Sequence, residues 1–142
     1  MGYDVIIIDS ISCDSYIEVM YDGSNPNRKP LLDLQTKSAD LIADKKDGLL
    51  LITSETKEVM EKKYIDNGLP MSLSCLLGAC EEIDIFSKDE NDSIIKASSL
   101  LFWKKINFCV LTGNSLLKNR LALNGFKVYD LSQTQELLDE LK

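Results

Sequence analysis

Residues 106–125, INFCVLTGNSLLKNRLALNG, decide how this chain is read. The apolar run Phe108-Cys109-Val110-Leu111 predicts a buried strand. It breaks at Thr112-Gly113-Asn114-Ser115 and passes into a helix spaced by Leu116, Leu117 and Leu121, which stops at Asn124-Gly125. The turn therefore sits at the carboxyl end of a strand, the place where open α/β sheets bind ligands.

The same alternation recurs outward from this unit. Val5-Ile6-Ile7-Ile8 is a β-branched run that predicts a strand buried on both faces, ending in Asp9-Ser10. Residues 11–30 carry no clear period, and GSNPNRKP reads as exposed loop, so a long irregular segment is expected there, a lid or a partner-binding loop. Leu34, Ser38, Leu41 and Ile42 are spaced for a helix, with Gly48 as its stop. Leu49-Leu50-Leu51-Ile52 predicts a second strand. Thr53 or Ser54 then caps a helix whose apolar stripe is Val59, Met60 and Tyr64, ended by Asn67-Gly68 and Pro70. Residues 71–80 predict a short buried helix, and Ile83, Ile85 and Phe86 a brief third strand. A helix through Ile94, Ile95, Ala97, Ser98, Leu101 and Phe102 leads back to the opening stretch. Val128-Tyr129 gives a last strand, and Leu137, Leu138 and Leu141 a terminal helix. Five strands alternating with helices imply βαβ units: a single α/β domain over 1–142, three layers α/β/α, around a mostly parallel five-stranded sheet.

Composition narrows the chemistry. At 142 residues with 44% hydrophobic and 27% charged side chains, the chain is long enough for one substantial core. No apolar run approaches the ~20 residues that span a bilayer, and no basic lead precedes the first apolar run, so no membrane role is expected and the cytoplasm is the expected compartment. There is no histidine, and the four cysteines are scattered without a CxxC. That excludes, within this chain, an imidazole-ligated zinc site, a Ser-His-Asp triad and a Cys-His dyad. The net charge of −7 argues against indiscriminate binding of a phosphate backbone, unless carboxylates hold divalent cations that invert the local field.

The polar residues just past the strand ends supply such carboxylates. Asp9 follows the first strand, Glu58 lies one turn into the helix after the second, Asp92 opens the helix after the third, and Asn114 follows the fourth. In a parallel sheet all four lie toward one edge. Carboxylates brought together repel and call for a cation, and an all-oxygen donor set suits Mg²⁺ or Mn²⁺. Such a centre activates water against a phosphodiester. Each residue also has a plain structural reading: Asp92 and Asn114 as helix caps, Glu58 as a surface residue with Glu55 as its rival for the inward position.

In this order the motifs resemble a PIN domain, a metal-dependent nuclease fold. The chain has a strand ending in Asp plus a small hydroxyl residue (IIIDS, with Ile11 where the family often has Asn). A Glu lies early in the second helix (ITSETKEVMEK), and an Asp before apolar residues and Ala (NDSIIKAS). The final strand, turn and leucine-rich helix are VLTGNSLLKNRLALNGFKVYDL. The resemblance covers almost the whole chain. It implies an endoribonuclease for single-stranded RNA, with Asp9, Glu58 and Asp92 as metal ligands and Asn114 as a fourth, neutral catalytic contact where the family usually has an acid. An amide contributes an oxygen but no charge, so a second ion would bind more weakly. Ser10 and Thr112 would position water or phosphate, and Lys118 and Arg120, with Arg28-Lys29, are candidate phosphate contacts. Implied partners are RNA, a second copy in a homodimer, and an antitoxin-like or RNA-processing protein. The rival reading is a PIN-like module without activity that binds RNA or assembles with proteins. A receiver-type domain fits poorly, because its phosphorylatable Asp would fall after the middle strand, where this chain has Thr53-Ser54 or Phe86-Ser87.

Overall fold

A computed structural model describes residues 2–141. Among them five strands form one all-parallel sheet in the order β3-β2-β1-β4-β5. The strands are β1 (Val5–Ile8), β2 (Leu50–Thr53), β3 (Cys80–Ile83), β4 (Phe108–Leu111) and β5 (Val128–Tyr129). The helices are α1 (Ser10–Tyr21), α2 (Arg28–Ala43), α3 (Ser54–Lys63), α4 (Met71–Gly78), α5 (Glu90–Trp103), α6 (Ser115–Leu123) and α7 (Thr134–Glu140). The expected three-layer α/β/α architecture is the one found.

The period-2 geometry of β1 divides the core. Ile6 and Ile8 point to one face, where they pack with Cys13 and Tyr16 of α1, Leu34 of α2, Met60 of α3, Leu73 of α4 and Leu137 of α7. Ile7 points to the other face, against Ile94 and Ala97 of α5 and Leu117 and Leu121 of α6. Each fully buried aliphatic side chain of this kind contributes about 1.5–3 kcal/mol. Right-handed crossovers explain the split. The chain moves from β1 to β2 to β3 with helices on the first face, then returns past β1 to β4 and β5 with helices on the second. The strand order thus reverses between β1 and β4, and their carboxyl ends flank the switch point.

Three expectations need correcting. Residues 11–30 are not a long irregular segment: α1 begins at Ser10, and only the short stretch before Arg28 is loop. Ser12, Cys13, Tyr16 and Val19 do follow a helical period, but two of the four are small polar or sulfur residues, and the period is hard to see by hydropathy. The third strand is Cys80–Ile83 rather than residues 83–86, and Phe86 lies beyond it, 95% exposed. It is an edge strand, with Glu82 held outward by Lys57 and Ser54. Finally, Thr56 and Met60 form the buried stripe of α3 while Val59 is exposed, so that helix is turned relative to the expected phase.

Helix ends are closed by a repeated device. Gly125 sits at φ 81°, with its N–H on Ala122 O and that of Phe126 on Leu121 O, as Asn124-Gly125 foretells. Helix α2 stops before Gly48 by the same pattern: Lys45 N–H bonds Ile42 O and Lys46 N–H bonds Leu41 O, with the non-glycine Lys45 at φ 60°. Because a side chain in the left-handed region is strained, Lys45→Gly is expected to stabilise the fold by about 0.5–1 kcal/mol, read as a higher urea midpoint with unchanged slope. A lower midpoint would show that Lys45 is not held in that conformation.

Candidate functional site

Asp9 is the centre of the switch point. It follows β1 directly, is 2% exposed, and caps α1 by accepting the Ser12 N–H at 2.8 Å. The β1–β4 register pairs Ile8 with Leu111, so the next step brings Asp9 level with Thr112. The Thr112 hydroxyl donates to Asp9 Oδ2, and the Gly113 N–H approaches Oδ1 at 3.4 Å. Thr112 Oγ1 in turn accepts the Asn114 N–H at 3.0 Å. Ser12 Oγ donates to Leu111 O at 3.2 Å, a second tie across the crevice. All the donors to the Asp9 carboxylate are neutral.

A second carboxylate stands next to it. Glu90, at the first turn of α5, accepts the Ser10 N–H on Oε2 (2.8 Å) and the Ser10 hydroxyl on Oε1 (2.6 Å). Thr56 Oγ1 donates to Oε2 at 2.6 Å. Thr53 Oγ1 donates to Thr56 Oγ1 at 3.2 Å, and Ser93 Oγ lies 2.8 Å from Thr53 Oγ1. The chain of hydroxyls runs from α5 through β2 and α3 back to Glu90. Aligned O–H dipoles of this kind reinforce one another and leave Glu90 with one preferred position.

Beside Glu90 is a cavity of about 240 Å³ between α3 and the start of α5, lined by Glu55, Glu58, Lys62, Lys88, Asp89 and Glu90 among others. Glu55 Oε2 is buried there without a hydrogen-bond partner. An orphaned carboxylate oxygen is costly unless a proton, a water or a cation meets it.

The remaining expected residues have other partners. Glu58 is on the face of α3 opposite Thr56 and Met60; its side chain is 62% exposed and bonds Lys62 at 2.8 Å, which holds its carboxyl below the usual range. Asp92 accepts the Lys88 N–H at 3.1 Å and lies 3.2 Å from Lys96 Nζ; these two, the backbone donor first, lower its pKa. Asn114 spends its side-chain oxygen capping α6, accepting from Leu116 and Leu117. Lys118 is clamped to Asp130 at 3.0 Å and to Gln133 at 3.4 Å. Arg120, Arg28 and Lys29 are exposed, Arg28 with its Nε–H on Met20 O. Thus Asp9, Ser10 and Thr112 come together; Glu58 reaches only the lining of the cavity beside Glu90, Asp92 is engaged with Lys88 and Lys96, and Asn114 joins through its N–H while its side chain caps α6. Ile11 packs over Gly113 so closely that a Cβ there would lie 2.5 Å from Ile11 Cγ2.

Glu90 was legible in principle. It stands three and four residues before Ser93 and Ile94, on the buried stripe of α5 that continues through Ala97 and Leu101, whereas Asp92 is off that stripe. Asp89, accepting the Asp92 N–H at 2.8 Å, is the actual cap and fixes that phase.

Among the described residues no three Cys, Asp or Glu side chains are already drawn together as a metal-binding group. The donors nevertheless fit a hard cation in kind. Asp9 and Glu90 are joined through Ser10, met by neutral donors alone, and Glu55, with an unpartnered oxygen, lines the same cavity as Glu90. Fold and site together define a parallel α/β domain with two hydroxyl-braced carboxylates, Asp9 and Glu90, at its topological switch point. No protein-family model matches the chain, and no curated protein matches it in sequence. Among the described residues no helix is long and apolar enough to cross a membrane.

Proposed function

We propose that the protein is a PIN-like, metal-dependent endoribonuclease that hydrolyses phosphodiester bonds of single-stranded RNA. The observation that carries this reading is the adjacency of Asp9 and Glu90 at the switch point, two carboxylates linked through Ser10 and supplied with neutral donors only. Asp9 and Glu90, with Glu55 from the cavity wall, would hold Mg²⁺ or Mn²⁺. Bound there, the ion would supply an activated water and offset charge building on the phosphate. The chain's own residues do the positioning. Ser12 N–H and the Thr112 hydroxyl fix the two Asp9 oxygens, while Ser10 and Thr56 fix those of Glu90. The Ile11 side chain packs against the Gly113 turn and leaves no room there for a larger residue. Glu58 is paired with Lys62, and Asp92 with Lys96 and the Lys88 N–H, so neither carboxylate is built into the Asp9–Glu90 pair. RNA is the proposed partner and the cytoplasm the proposed compartment; a homodimer or an antitoxin-like or processing partner would be compatible with the exposed surface.

The engagement of Asn114 as a cap favours a second reading, a PIN-like module that has lost catalysis and binds RNA or protein. Titration calorimetry with Mn²⁺ and a cleavage assay on a generic single-stranded RNA, each with an Asp9→Asn control, separate the two. The nuclease reading expects heat of binding and ion-dependent cleavage in the parent, both lost in the control. Absence of both in the parent leaves the module.

A further inference from the structure

At the sheet edge opposite Asp9, where β1, β4 and β5 begin, a groove of about 940 Å³ opens between the end of α5 and the turn after α6. Its floor is aromatic. Phe126 lies 5.9 Å from Phe102 and 5.6 Å from Phe108, centroid to centroid. Its rim carries Trp103, 78% exposed, and Phe102, whose ring meets Phe126 on one side yet stays 68% exposed. Lys105 and Lys127 line it, and Lys104 stands next to them on the surface. Among the described residues none of these three lysines is in an ion pair, although the chain carries net charge −7. Asp4, bonded through its N–H to Asn107 O, lines the neighbouring recess rather than the groove.

We propose that this groove docks single-stranded nucleic acid, with bases stacking on Trp103 and Phe102 and phosphates met by Lys104, Lys105 and Lys127. Exposed ring faces beside cations that no carboxylate pairs, Lys127 resting over the Tyr129 ring, provide the two interactions that a single strand offers, and every base has a face to stack. A second copy of this chain is a poorer occupant, because a two-fold contact would set the same lysines against one another. The surface stands apart from the Asp9–Glu90 pair and does not depend on cleavage there.

Trp103 is the chain's single tryptophan, so its fluorescence reports the groove directly. A ten-residue oligouridylate is titrated into the protein in EDTA, in both the parent and the Asp9→Asn background. Saturable quenching that weakens with salt is expected in both. By anisotropy of the labelled oligonucleotide, Trp103→Ala is expected to bind about tenfold more weakly, and the Lys105→Glu, Lys127→Glu double variant to lose the salt dependence in large part. The proposal is overturned by absence of saturable quenching, or by binding that Trp103→Ala leaves unchanged. It is equally overturned if a duplex of the same length binds as well, or if light scattering shows a dimer in which Trp103 is shielded and the strand is refused.

Discussion

An Asp9→Ala variant is expected to lose about 3 kcal/mol of stability, whereas Asp9→Asn stays within about 1 kcal/mol of the parent in metal-free buffer. Alanine removes the cap of α1, a loss of about 0.5–2 kcal/mol, and strands the buried Thr112 hydroxyl and the Gly113 N–H, which adds about 1–3 kcal/mol. Asparagine keeps an oxygen for the Ser12 N–H, and its amide can donate to Thr112 Oγ1. It also removes a buried charge that has only neutral partners. Urea unfolding in EDTA measures both differences. Repeating it with Mn²⁺ adds a signature of function: the parent should gain stability with ion concentration by mass action, and the asparagine variant should not. Equal ion-induced gains in both would place any bound cation away from Asp9.

Glu90 gives the second large effect. Glu90→Ala withdraws the acceptor from the Ser10 N–H, the Ser10 hydroxyl and the Thr56 hydroxyl together, and is expected to cost about 2–3 kcal/mol. Glu90→Gln keeps one oxygen for these donors and should cost less than half as much. A double-mutant cycle with Ser10→Ala isolates the hydroxyl bond at 2.6 Å, for which a coupling of about 1 kcal/mol is expected. Strict additivity would mean that the serine hydroxyl and Glu90 do not meet in solution. Because both residues lie beside Asp9, the same variants should weaken Mn²⁺ binding if the two carboxylates serve one ion.

Much of this fold was legible because buried parallel strands leave continuous apolar runs. Val5–Ile8 and Phe108–Leu111 are where the sequence places them, and they are neighbours, so the ligand crevice follows from two short stretches. Asp9 was legible for the same reason, since a carboxylate at the end of such a run has no route to solvent. The helical positions were not, because their roles depend on phase rather than on proximity in sequence. Glu58 and Thr56 are two residues apart and face opposite ways, and the same holds for Asp92 and Glu90. Hydropathy alone assigns Val59 to the core stripe and leaves Thr56 outside it. The structure reverses both, since the Thr56 hydroxyl is paired by Thr53 and Glu90 and is therefore buried at little cost. Residues 11–30 failed similarly, in that a helix which buries Ser12 and Cys13 shows almost no amphipathic contrast.

The edge strands carry a consequence of their own. An open sheet ends in unpaired backbone groups that invite strands from other molecules, and the two ends here discourage that in different ways. β5 is two residues long, too short to template an added strand. β3 presents Glu81 and Glu82 side by side, the first bonded to the Gly48 N–H and the second to Lys57 and Ser54. A strand arriving along β3 would meet a polar edge, with Glu81 on one face and the Glu82–Lys57 pair on the other. Both edges are thus poor templates for an added strand, one by its length and the other by its charged side chains.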